Sequence, residues 1–233
     1  MTEPGRVRRI LAIPMKDLAN AKQRLVAALG AGERQALAAA MLEDVLAAVA
    51  GADLDAVWVI TRDAGVTATA RRFGATVVAE AENRGHTAAV SDAQTRARDE
   101  GVAVFATIPG DVPCVSAAEV DALVSAVTAV PGAVLAPSRS GLGTNGVALA
   151  PPDAMALRFG EPSFDAHLAG ARALGLTPRV LHLPGLALDV DGPDDLGALL
   201  AEGGATRSGR LVASWRIDVR TLANAAPHPS ERA

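Results

Sequence analysis

The tightest constraint on this chain is a rhythm in which short apolar runs rich in β-branched residues alternate with stretches of helical spacing. RRILAIP (8–14), closed by Pro14, reads as a first strand. The stretch GAGERQALAAAMLEDVLAAVAGA predicts a helix over about 32–50 that stops at Gly51. AVWVIT (56–61) reads as a strand, DAGVTATARRFG as a short helix ending at Gly74, and ATVVAE as a third strand. A helix is expected across about 86–100, a strand at 102–108 and a helix over 116–130, where Ser116 and Glu119 form a capping box. Strands at 132–138 and 146–151 flank SRSGLGTN, and a helix begins near Ser163. RVLHLP and LALDV suggest short strands before a last helix from about Pro193. This alternation predicts an α/β fold with a mainly parallel central sheet flanked by helices. Such sheets bind ligands beyond the carboxyl ends of their strands, at a switch in strand order.

Past residue 203 the pattern weakens. One domain is therefore expected over 1–203, with a C-terminal extension over 204–233. In that extension EGGATRSGRL is loop-like, LVASWRIDV (211–219) suits an edge strand able to support a homodimer, and ANAAPHPSERA reads as a frayed tail.

Composition narrows the function classes. Half of the 233 residues are hydrophobic but only 3% are aromatic, so the core is built from Ala, Val and Leu. A net charge of −4 argues against a general nucleic-acid binder, while local basic clusters remain able to hold an anion. The single cysteine, Cys114, rules out an intramolecular disulfide, and a cytoplasmic location is expected. After the basic MTEPGRVRRI only LAIP separates the strand from a lysine, too little for a signal peptide, and no run approaches a membrane helix.

Four stretches carry the chemistry. In IPMKDLANAKQRL (13–25), directly after the first strand, Pro14 turns the chain outward and Lys16, Lys22 and Arg24 follow within nine residues. Clustered cations there suit a polyphosphate; the alternative is a solvated basic loop. In FATIPGDVPCV (105–115), Asp111 stands just past a strand end, where a carboxylate suits Mg²⁺; the alternative is an Asp turn between prolines. In LALDVDGPDD (186–195), Asp189 and Asp191 are two apart and share one side of an extended segment, from which they can meet Asp111. The alternative makes them part of a turn, with Asp191 the better helix cap, while Asp194 and Asp195 serve the first turn of the next helix. In SGLGTN and FGEPSF, Thr144 and Asn145 offer hydrogen-bonding groups, and Gly160 and Ser163 mark a helix entrance suited to an anion; the alternative for GLGT is a hairpin turn.

Other candidates carry less. Cys114 reads as a small buried residue. His86, His167 and His182 lack metal-ligand spacing; His167 lies one turn after Ser163, so packing and a substrate contact are both open to it. No GxxxxGK[ST], GxSxG, HExxH or GxGxxG is present.

Taken in order, IPMKDLANAKQRL, IPGDVP, GLGTNGVAL, FGEPSFDAHL and LPGLALDVDGPDDL resemble the guanylyltransferases of coenzyme F420 biosynthesis over about residues 7–200. These act on 2-phospho-L-lactate or phosphoenolpyruvate. The resemblance implies a Rossmann-like nucleotidyltransferase fold of the GT-A-like type. It implies transfer of GMP from GTP to a phosphorylated three-carbon acid (2-phospho-L-lactate, phosphoenolpyruvate or 3-phosphoglycerate), with release of pyrophosphate and Mg²⁺ as cofactor. Carried over residue by residue, Asp111 and Asp189, with Asp191 a close competitor, match the metal-binding acids. Lys16, Lys22 and Arg24 match the triphosphate-binding and catalytic segment, joined by Asp111, with Pro14 and Gly85 also on the nucleotide side. Thr144 or its neighbour Asn145, Gly160 and Ser163 match positions that hold the acid substrate.

The region AENRGHTAAVSDA departs from the family pattern, placing His86 and Thr87 where Leu and Asn are expected beside the base. Two rivals follow: a nucleotidyltransferase of the same fold with another base or acceptor, such as a molybdopterin or sugar phosphate, and a catalytically idle nucleotide-binding module. Membrane and nucleic-acid partners are not expected.

Overall fold

The computed structural model describes residues 7–80, 82, 84–160 and 162–216. β1 (Arg9–Pro14) leads through two 3-10 turns, Leu18–Asn20 and Gln23–Leu25, into α1 (Ala31–Val49). β2 (Ala56–Thr61), α2 (Ala64–Arg72), β3 (Thr76–Ala79), α3 (His86–Asp99), β4 (Val104–Thr107) and α4 (Ala117–Ser125) continue the alternation. Then come β5 (Gly132–Pro137), β6 (Thr144–Ala150), α5 (Phe164–Ala173), β7 (Arg179–Val180), α6 (Pro184–Ala187), α7 (Pro193–Glu202) and α8 (Arg207–Ser214).

The seven strands form one sheet in the order β3-β2-β1-β4-β6-β5-β7. β1 pairs in parallel with both β2 and β4, so the strand order reverses there and a crevice opens between β1 and β4 at their carboxyl ends. β6 alone runs against its neighbours. Its first residues, Thr144 and Asn145, therefore stand at the same edge as the end of β4.

Period-two alternation sends each strand's side chains into two layers. Leu11, Ile13, Val59 and Ala106 pack against α1, α2 and α4, whereas Ile10, Ala12, Trp58 and Phe105 pack against α3 and α5. A third apolar cluster joins the outer side of α1, through Leu37 and Met41, to Leu196 and Leu199 of α7 and Val212 of α8.

Three expectations are corrected. LALDV is not a strand: Pro184 opens the single turn α6, and residues 188–191 run extended outside the sheet. EGGATRSGRL is not a loop, since Thr206 caps α8 by accepting from the Gly209 N–H. The edge strand expected over 211–219 does not form across its described part, because Leu211–Ser214 complete α8; residues 217–233 lie outside the described residues. Helical pairing inside α8 uses the groups an edge strand would expose, so that argument for a homodimer falls away. α8 is tied to α1: Asp44 accepts from the backbone N–H groups of Arg207 (2.8 Å) and Ser208 (2.9 Å) and from the Ser208 hydroxyl (2.7 Å). No described helix is long and apolar enough to cross a membrane.

Candidate active site

The chain leaves the sheet after Pro14, where the Met15 N–H still donates to Ile60 O at 2.9 Å. Lys22, between the two 3-10 turns, has φ 54°. That left-handed conformation is strained for a residue with a side chain, and such strain concentrates at working sites. It places the ammonium, on a side chain only 6% exposed, between two acids. Nζ donates to Asp111 Oδ2 at 2.5 Å and to Asp191 Oδ1 at 2.8 Å. Burial alone would drive the proton off Lys22, but the two carboxylates outweigh it and hold its pKa above the ordinary value. Burial would likewise raise Asp191, yet Lys22 pulls it below the ordinary carboxylate range.

Close backbone approaches put the acids there. Gly110 precedes Asp111 with Met15 Sδ 2.9 Å from where a Cβ would sit. The Val190 N–H donates to Asp111 O at 3.1 Å, fastening residues 188–191 onto the Asp111 loop. Leu188 and Val190 are fully buried, so Asp189 and Asp191 share the opposite side, as expected of an extended segment. Asn145 Nδ2 donates to Asp189 Oδ1 at 2.9 Å and to the carbonyls of Leu186 and Ala187 at 3.1 and 3.2 Å. Gly146 permits this approach, since a Cβ there would lie 2.7 Å from Leu186 Cδ2. Burial raises the pKa of Asp189, Asn145 opposes the rise, and the charge of Asp111 adds to it. The capping alternative for Asp191 is not taken: Asp195 Oδ2 accepts from the N–H groups of Asp191 (3.0 Å) and Gly192 (2.7 Å), leaving the Asp191 carboxylate for Lys22.

Two cavities meet at these acids. One, of about 330 Å³, is lined by Pro14, Lys16, Lys22 and Ala38 among others. The other, of about 470 Å³, is lined by Arg24, Thr144, Asn145, Gly160 and Asp189 among others. His86, Pro109, Asp111 and Asp191 border both. The basic segment is thus divided: Lys16 and Lys22 line the first cavity and Arg24 the second, with Lys22 bonded to the two acids that border both.

The second cavity is braced from behind. Ser163 is buried and does not line it; its Oγ donates to Thr144 Oγ1 at 3.2 Å, and the N–H groups of Ser163 and Phe164 donate to Leu142 O at 2.9 and 3.0 Å. Gly160 has φ 136°, a conformation that favours glycine. Gly85, with φ 94°, leads into α3, whose first residue His86 packs its ring 4.4 Å from that of Phe159. Thr87 Oγ1 accepts from the Phe159 N–H at 3.0 Å and donates to its carbonyl at 3.3 Å. Burial, opposed by Asp111 and aided by Lys16, lowers the His86 pKa to about 4, so the ring is neutral near pH 7. Two site-building residues were not legible as such: Phe159, clamped by Thr87 from 72 residues away, and His167, whose Nδ1 lies 2.9 Å from Thr144 Oγ1. The spacing of His167 from Ser163 was the only local signal for either.

Burial raises the Cys114 pKa, which suits a packing role rather than a thiolate nucleophile. Among the described residues no three His, Cys, Asp or Glu side chains gather into a metal-chelating group by themselves. Two carboxylates at the border of two cavities, both bonded to Lys22, a third carboxylate in the second cavity and cations on both sides form a site for charged oxygen-rich ligands rather than for a nucleophile–base pair.

Comparisons with known proteins place the chain in a family. The family model described as "Guanylyl transferase CofC like" matches residues 9–228. A phosphoenolpyruvate guanylyltransferase of Rubrobacter xylanophilus is 38% identical over 192 residues, covering 82% of this chain and 93% of its own. A 2-phospho-L-lactate guanylyltransferase of Methanothermobacter thermautotrophicus is 35% identical over 208 residues, covering 89% and 91%. Among solved structures, a putative nucleotide-diphospho-sugar transferase from Desulfovibrio desulfuricans G20 superposes with a TM-score of 0.73 at 15% identity, covering 92% of this chain and 97% of that one, which shows the shared nucleotidyltransferase-like fold. The chain belongs to the CofC-like guanylyltransferases, a family of nucleotidyltransferase enzymes.

Proposed function

We propose that this protein transfers GMP from GTP to a phosphorylated three-carbon acid (phosphoenolpyruvate, 2-phospho-L-lactate or 3-phosphoglycerate) and releases pyrophosphate, in coenzyme F420 biosynthesis. The supporting observation is the meeting of two cavities at Asp111 and Asp191, the two acids that Lys22 bridges. The Lys16 cavity takes the nucleotide and its triphosphate; the Thr144 cavity takes the acid. The acid's phosphate oxygen attacks the α-phosphorus in line at the shared wall, one O–P bond forms, and the bond to pyrophosphate breaks. A phosphate is already anionic near neutral pH, so no general base is required, in keeping with neutral His86 and packed Cys114. Lys22 has three donors and spends two on carboxylates, leaving one for a phosphate oxygen. Fixed groups of this kind act through positioning and charge stabilisation.

Mg²⁺ fits the residues present. Asp111, Asp189 and Asp191 are hard oxygen donors, and the raised pKa of Asp189 marks a buried acid with an amide rather than a cation beside it. Too few ligands gather for a protein-only cage, which suits an ion that also binds substrate phosphates. Asp111 with either Asp189 or Asp191 would hold it, and when bound it supplies charge neutralisation for the triphosphate.

The test is pyrophosphate release from the protein with Mg²⁺, each nucleoside triphosphate in turn and the three acids. Release with GTP and one acid is expected. Release with CTP or ATP alone would instead favour a same-fold transferase of other specificity. Silence with every pair, the panel extended to molybdopterin and sugar phosphates, would point to an idle nucleotide-binding module.

A further inference from the structure

We infer that His167 is a positioning residue that turns Thr144 into a one-way hydrogen-bond donor toward the anionic group of the acceptor. This rests on the Thr144 cavity being the acceptor's.

The chain of reasoning starts from a group with no freedom. The backbone N–H of Arg158 donates to His167 Nε2 at 2.9 Å, so that nitrogen carries no proton. His167 is 2% exposed, and burial lowers its pKa, which keeps the ring neutral. A neutral imidazole with a bare Nε2 must hold its proton on Nδ1. Nδ1 therefore donates to Thr144 Oγ1 across 2.9 Å. Ser163 Oγ donates to the same oxygen at 3.2 Å. A hydroxyl oxygen has two lone pairs, and both are now taken.

The Thr144 hydrogen is thus excluded from the His167 and Ser163 directions, and what lies open to this residue is the cavity it lines with Gly143 and Gly160. An acceptor presenting phosphate or carboxylate oxygens gains a donor there, whereas a ligand group that must itself donate meets none of the oxygen's lone pairs. Ser163 and His167 are one helical turn apart, joined by the His167 N–H to Ser163 O bond at 2.9 Å, so a single turn of chain fixes both grips on Thr144. Phe159 packs edge-on against the His167 ring at 5.3 Å and holds its plane. The hydroxyl of Ser163 acts through Thr144, its own hydrogen already being committed.

Ring-nitrogen chemical shifts of His167 in the ¹⁵N-labelled full-length protein at pH 7 test the first link, with a protonated Nδ1 and a bare Nε2 expected. An Nε2–H tautomer or an imidazolium would overturn the inference whatever the cavity binds. Kinetics test the second link. Thr144→Val is expected to raise the acceptor KM by about tenfold or more, the worth of a hydrogen bond to a charged group, with the GTP KM unchanged. His167→Gln keeps an acceptor near the Nε2 place but no donor near Nδ1, and should raise the acceptor KM to a similar degree. His167→Asn restores an amide donor near Nδ1 and should return that KM toward wild type. In a Thr144→Val background His167→Gln should add nothing; an equal further rise there, or a rise in both KM values, would mean a merely structural role. Wild-type kinetics for His167→Gln beside an impaired Thr144→Val would overturn the inference but leave the acceptor cavity standing. An unimpaired Thr144→Val with the expected tautomer would remove the cavity reading and the inference together.

Discussion

Lys22 Nζ lies 2.5 Å from Oδ2 of Asp111, a residue 89 positions further along the chain, and the same ammonium reaches Asp191 at 2.8 Å. Removing that cation leaves two acids facing each other without a counter-charge. Lys22→Met is expected to lower kcat by about a hundredfold or more, in the range for loss of one transition-state donor. It should also lose stability at pH 7, and that deficit should shrink as pH falls and the acids protonate. Turnover within a few-fold of wild type would reject the central role given to Lys22.

The division of the basic segment between two cavities makes a separable kinetic claim. Lys16→Ala should raise the KM for GTP, and Arg24→Ala the KM for the acid, each by about tenfold with the other constant little changed. Both substitutions acting on GTP alone would return the whole segment to the triphosphate.

Asp189 has its pKa raised by burial, so the folded state resists its ionisation. Its favourable contribution is therefore complete below the unfolded-state pKa of 3.8 and is lost as pH rises through the higher folded value. Asp189→Asn, which keeps an acceptor for Asn145, should accordingly have a higher Tm than wild type at pH 7 while turning over more slowly. Added Mg²⁺ with GTP should raise the Tm of the wild type more than that of the variant. An equal rise in both would take Asp189 out of the metal site.

His86 runs the other way. Its folded pKa of about 4 lies below the ordinary 6.5, so the unfolded chain takes up a proton that the folded one refuses. Stability from this group is full above pH 6.5 and is lost as pH falls toward about 4. Denaturant titrations at several pH values should show His86→Phe losing less stability than wild type over that window. In the wild type the His86 ring should keep its neutral-form NMR shifts at pH 5.5; an imidazolium there would contradict the burial argument.

Asp44 holds α8 to α1 through three hydrogen bonds. Asp44→Ala should lower unfolding free energy by about 1–3 kcal/mol, as for loss of a helix cap with partly buried donors left unpaired. KM for both substrates should stay at wild type, since α8 lines neither cavity. Chemical denaturation beside steady-state kinetics checks both halves.

Local chemistry made much of this legible. Pro14 and the Ser116–Glu119 box act within a few residues, so the ends of their elements can be read directly. The period of apolar residues assigned the central strands to two layers for the same reason. The C-terminal stretch misled because α8 is short and its Asp44 partner lies 163 or more residues away.

The sequence by itself thus determined the alternating α/β plan, the strand-end acid Asp111, the pair Asp189 and Asp191 on one side of their segment, and the basic loop before α1. Tertiary structure alone decided which two acids Lys22 bridges, that Lys16 and Arg24 line different cavities, that Asn145 turns to Asp189, and that His167 stands behind Thr144. The reason is physical. Strand and helix periodicity come from local sterics, whereas these contacts depend on antiparallel β6 and on residues 188–191 being fastened to the Asp111 loop, an arrangement set by packing among residues far apart in the chain.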